Sequence, residues 1–124
     1  LPAALTRRRL PWVRPFRLMR ILFDHGTPSG IARALADHEV TEAIERGWDR
    51  ISNGELLTRA EGFGLMLTTD KKIRYQQNLK GRKIVIVVLG NSAWRMVRKH
   101  PDRVVTAVNE ATPGSYVEVE IPFR

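Results

Sequence analysis

Cysteine is absent from the 124 residues, which excludes disulfides and thiolate-held metal and is compatible with a cytoplasmic address. No apolar run approaches the roughly 20 residues a membrane helix needs. The first 18 residues contain no acid, and Pro11, Arg14, Pro15 and Arg17 interrupt them, so a secretory signal is not expected. A Ser–His–Asp order, a Walker loop and a dinucleotide glycine motif are all missing. Internal repeats are missing too, and no low-complexity tract lies beyond the opening stretch.

What is present begins with charge. The formal net charge is +8, but Arg7, Arg8, Arg9, Arg14 and Arg17 supply five of those charges and residues 19–124 only three. The globular part is therefore mildly basic, which weakens the nucleic-acid reading that a pI near 10.8 invites. Residues 1–18 read as a basic, disordered leader, because three prolines and five arginines leave little surface to bury. A basic RNA-binding arm is the alternative. Met19 opens a strand and reads as a start, with one domain over residues 19–124, long enough for a real core.

The most informative stretch is Leu65-Met66-Leu67-Thr68-Thr69-Asp70. A short apolar run bounded by Gly64 and a polar segment is expected to be a strand buried on both faces. The same grammar occurs at Ile21-Leu22-Phe23-Asp24, followed by His25-Gly26-Thr27-Pro28. In open parallel sheets the carboxyl ends of the strands face the ligand crevice, so an acid placed there is a site candidate.

The remaining elements follow in order. Ser29 is expected to cap a helix bearing Ile31, Ala34 and Leu35, and Glu39-Val40-Thr41 is a weak strand. Residues 41–46 fit strand or helix, and Gly47-Trp48 is a break with Trp48 over the sheet edge. Ser52 and Glu55 have the capping-box spacing for a helix with Leu56, Leu57 and Ala60 inward. Lys83–Leu89 is the most β-prone run and is expected to be central. Burying six such side chains is worth on the order of 9–18 kcal/mol before entropy is charged. A short helix over 93–99 and a second from Pro101 with Val104, Val105, Val108 and Ala111 inward come next. Tyr116–Ile121 alternates as an edge strand does. The order is that of an α/β layer fold.

Asp24 and Asp70 lie near each other if their strands are neighbours. Two carboxylates about 5 Å apart repel by roughly 3 kcal/mol at an effective dielectric of 20. A bridging cation or proton makes such a pair tolerable, and oxygen-only ligation suits Mg2+ or Mn2+ over zinc. Glu55, or the amide of Asn53, would complete the site. The competing account is that both aspartates cap the helices that follow. His25 could orient a phosphate or a water, or be a plain turn residue. Lys71, Lys72, Arg74 and Lys80 surround Tyr75, Gln76, Gln77 and Asn78. Such a set suits a phosphodiester backbone with Tyr75 stacked on a base; a solvated loop is the alternative.

Met19-Arg-Ile-Leu-Phe-Asp24-His-Gly-Thr-Pro28, Gly47-Trp48, Ser52-Asn-Gly-Glu-Leu-Leu57, Thr68-Thr-Asp70 and Tyr75-Gln-Gln-Asn-Leu79 together resemble a family of small PIN-like bacterial proteins. These are grouped with the VapC-type toxin ribonucleases of toxin–antitoxin pairs. The resemblance spans Met19 to about Leu89. It implies a PIN-like three-layer α/β/α sandwich with a mostly parallel sheet and an edge strand at the C-terminus. It also implies a Mg2+- or Mn2+-dependent ribonuclease. Asp24 and Asp70 would be catalytic metal ligands and Glu55 an auxiliary ligand or base. Lys71, Lys72, Arg74 and Tyr75 would hold RNA, with Asn53, His25, Gln77 and Asn78 in support. Implied partners are RNA, a small antitoxin protein and a second copy in a homodimer, with no membrane. Two departures stand out. Asn53 is neutral where many relatives place an aspartate, and Lys72 stands where they often add an acid. The alternative is a PIN-like module that binds nucleic acid or protein without catalysis.

Overall fold

A computed structural model describes residues 18–73, 79 and 81–122. The basic opening stretch up to residue 17 lies outside them, as do Arg74, Tyr75, Gln76, Gln77, Asn78 and Lys80. Five strands form the sheet: β1 (Arg20–Phe23), β2 (Glu39–Glu42), β3 (Leu65–Thr68), β4 (Val85–Leu89) and β5 (Tyr116–Val119). Their order is β2-β1-β3-β4-β5. Every pairing is parallel, so the expected mostly parallel sheet is wholly so here. The C-terminal strand is at an edge, as its alternation predicts.

The register accounts for the apolar runs. Ile21 pairs with Leu65 and Leu65 with Val85, while Leu22 pairs with Met66 and Met66 with Ile86. Alternate residues of each strand feed opposite faces. One face gathers Ile21, Phe23, Leu67, Val87 and Leu89 under Ile31, Leu35, Val97, Val104 and Val108. The other gathers Leu22, Met66, Ile86 and Val88 under Leu56, Leu57, Ala60 and Phe63. A strand with helices on both faces has no polar side to show, which is why β3 and β4 are buried at every position. The chain is thus an α/β fold with helical layers on both faces of the sheet.

Three α-helices are described: α1 (Asn53–Arg59), α2 (Trp94–Val97) and α3 (Pro101–Glu110). Ser52 caps α1 by accepting from the Glu55 backbone N–H at 3.2 Å. The reciprocal half of the expected box is replaced, because the Glu55 carboxylate turns to Arg59 one helical turn on, at 2.7 Å. Pro101 opens α3 where its missing N–H costs nothing. Ser29–Leu35 and Ala43–Arg46 are 3-10 helices. Ser29 caps nothing; Pro28 takes the cap position, and the Ser29 hydroxyl donates to Glu42 at 2.6 Å. Trp48 packs edge-on against Phe63, ring centres 6.4 Å apart.

The crossovers are unequal. Ser29–Leu35 carries β1 to β2, and α2 and α3 carry β4 to β5, on the same face of the sheet. Those two steps run in opposite directions along the sheet, so their hands are opposite. The β2–β3 and β3–β4 connections pack on the other face and share the hand of β1–β2. The β4–β5 connection therefore differs in hand from the others, whereas parallel connections within one sheet commonly share a hand.

Candidate metal and phosphate site

The chain leaves β1 toward one face of the sheet and β3 toward the other. A crevice opens outside neighbouring strand ends whose connections part in this way, and ligands of open α/β sheets bind there. Asp24 is the first residue after β1, and Asp70 is the second after β3. The backbone ladder carries on to Asp24, whose N–H donates to the Leu67 carbonyl at 3.1 Å.

Asp24 is buried, 7% exposed, and both its oxygens are engaged. Thr68, the last residue of β3 and fully buried, donates its hydroxyl to Oδ2. The Thr27 hydroxyl lies 2.7 Å from Oδ1 and 2.8 Å from the Leu67 carbonyl, so its one proton serves two acceptors. The Thr68 hydroxyl also accepts from the Asp70 backbone N–H at 3.1 Å. One hydroxyl therefore ties the two strand-end acids together. Asp70 in turn accepts the Asn53 side-chain amide at 2.7 Å and the Lys72 backbone N–H at 2.9 Å. Asn53 is positioned because it is the first residue of α1, behind the Ser52 cap.

The loop after β1 closes over this point. A Cβ on Gly26 would stand 2.8 Å from Thr69 Oγ1, closer than real contacts allow. Glycine is what lets the backbone cross there.

The expected residues divide as follows. Asp24, Asp70 and Asn53 are joined in one network through Thr68. Glu55 is not in it; its carboxylate pairs with Arg59. His25 is exposed in the turn beside Asp24. Lys71 and Lys72 are exposed directly after Asp70. Arg74, Tyr75, Gln77 and Asn78 lie outside the described residues. As for the capping account, the Asp70 carboxylate accepts the backbone N–H of Lys72 two residues on, while Asp24 accepts from threonine hydroxyls and, among the described residues, from no helix N–H. Sequence reasoning missed Thr27, although threonine three residues after an aspartate is a turn signal.

No lysine, arginine or histidine among the described residues forms an ion pair with Asp24 or Asp70. Among the described residues the buried Asp24 carboxylate meets only neutral hydroxyl donors, and buried charges are as a rule paired or bound to a metal. Carboxylate and hydroxyl oxygens are hard donors, and Mg2+ is commonly held by one or two carboxylates with waters and substrate phosphate filling the rest. The donor set fits such an ion. Among the described residues no group of three or more His, Cys, Asp or Glu side chains is placed to hold a metal, so the pair would act without a third acid.

Thr68→Val tests the tie. It keeps the shape and leaves Asp24 Oδ2 and the Asp70 N–H without a partner. The expected loss is about 1–3 kcal/mol of stability by urea denaturation. Thr68→Ser, which keeps the hydroxyl, should lose much less; equal losses would show that the hydroxyl does not bridge.

No protein-family model, curated protein or solved structure matches the chain. No helix among the described residues is long and apolar enough to cross a membrane.

Proposed function

We propose that the chain is a metal-dependent RNA endonuclease of PIN-like type, working as the toxin of a toxin–antitoxin pair. The observation that supports it most is the buried Asp24 carboxylate, tied through the Thr68 hydroxyl to the Asp70 backbone N–H beyond the carboxyl ends of β1 and β3 and lacking a cationic partner among the described residues. Asp24 and Asp70 would hold Mg2+ or Mn2+. The chemistry such an ion would supply there is polarisation of a phosphodiester and a lowered pKa of a bound water. Thr27 and Thr68 fix the Asp24 carboxylate in one orientation, and Asn53 does the same for Asp70. Preset orientation matters because a shift of about 1 Å at a reacting centre can cost on the order of 100-fold in rate. Lys71 and Lys72 place positive charge beside Asp70, where a phosphate would lie.

A second reading, a binding module without catalysis, draws on one specific contact. Asn53 presents an N–H to Asp70, where a third carboxylate would raise cation affinity. The two readings separate in one assay. The nuclease cleaves single-stranded RNA with Mg2+ or Mn2+, stops in EDTA, and resumes when the ion is restored. Cleavage that continues in EDTA, or no cleavage with either ion, would end the nuclease reading.

A further inference from the structure

The nuclease reading leaves one surface unused. Trp94 opens α2 and remains 42% exposed. Its indole is not loose. An ideal Cβ on Gly30 would stand 2.5, 2.7 and 2.8 Å from Cζ2, Cη2 and Cε2. Three consecutive ring atoms at nearly equal distance put that point over the ring face, not beside its edge. One face of the indole thus rests on the Gly30 backbone. Only glycine leaves room for it.

Arg95, Arg98 and Lys99 follow, all exposed. None forms an ion pair among the described residues, whereas Arg20, Arg59, Arg82 and Arg103 each meet a glutamate. The segment 94–99 contains no acid. A planar ring held on one side, beside three uncompensated cations, suits stacking of a base with contacts to flanking phosphates.

Position adds to this. α2 follows β4 and the Ser29–Leu35 helix follows the loop after Asp24, so Trp94 is at the carboxyl end of the sheet, as the aspartates are. Gly30 is six residues beyond Asp24 in the chain, a span of at most about 20–22 Å even if fully extended.

We propose that Trp94, with Arg95, Arg98 and Lys99, is a platform that grips single-stranded RNA at the carboxyl end of the sheet, the end at which Asp24 and Asp70 lie. The proposal rests on the RNA reading but not on catalysis. Binding is therefore measured in EDTA, by anisotropy of a labelled oligouridine. Trp94→Ala weakens binding about 5- to 150-fold, the range for loss of one stacked base. Trp94→Phe recovers most of it, which a purely structural role on Gly30 would not require. Arg95→Gln with Arg98→Gln, both exposed, lowers the salt slope by about 1.4, at roughly 0.7 per phosphate contact on a single strand.

Unchanged affinity in Trp94→Ala and an unchanged slope in the double variant would overturn the platform. Absence of RNA binding by the wild type, or tighter binding of polyglutamate than of oligouridine, would overturn it too. RNA bound in this way but never cleaved with Mn2+ removes the nuclease reading alone and leaves the platform standing.

Discussion

Asp24→Asn should lower Mn2+-dependent RNA cleavage by at least about 100-fold, more than the roughly 10- to 100-fold that losing a hydrogen-bond partner of a metal ligand costs. The same change should leave the fold nearly intact. Asparagine matches aspartate in shape, and the difficulty it introduces is one N–H2 facing a hydroxyl that had been donating. Thr27 can absorb that. Its hydroxyl already lies 2.8 Å from the Leu67 carbonyl. It can turn its proton there and accept from the new amide, while the amide oxygen of the substituted side chain still accepts from Thr68. Charge is lost and hydrogen bonding is kept. Single-turnover cleavage read with thermal denaturation separates the two. Full cleavage by a folded Asp24→Asn protein would remove Asp24 from the chemistry.

Phe23→Ala should be the most destabilising single truncation next to the site, at about 3–5 kcal/mol. Phe23 is fully buried, paired in register with Leu67 on one side and Glu42 on the other. Its ring joins Ile31, Leu35 and Val87 in the core of one face. The backbone step from Phe23 to Asp24 fixes where that carboxylate emerges, so the cavity would be felt at the crevice. Domains of this size are stable by roughly 5–15 kcal/mol in all, and each kcal/mol moves Tm by about 4–8 °C in a 60–100-residue domain. A fall in Tm of at least about 12 °C is expected by circular dichroism. A fall of a few degrees would place the ring outside the core.

The parts of this fold legible in the sequence were those with strong local signals. Ile21–Phe23 and Leu65–Thr68 announce buried strands because a parallel sheet covered on both faces leaves them no polar side. Val104 and Val108, four apart behind Pro101, announce α3 just as plainly. Ser29 misled because a serine before a helix is a cap only if the chain turns its hydroxyl inward, and here Glu42 draws it away. Glu55 misled for a related reason. Its spacing from Ser52 suits a capping box, yet Arg59 lies one turn on with the opposite charge. The link from the Asp24 carboxylate through Thr68 to the Asp70 backbone depends on β1 and β3 being neighbours, with β2 placed outside them. No local pattern carries that order. It follows from which helices cover which face, and the role of Thr68 follows from it in turn.

Calorimetric titration of Mn2+ into the wild-type chain and Asp24→Asn addresses the cation most directly. The wild type should bind, and the variant should bind at least about tenfold more weakly, since one of two carboxylates has become neutral. Equal binding by both proteins, or none by the wild type, would contradict a cation held between the ends of β1 and β3.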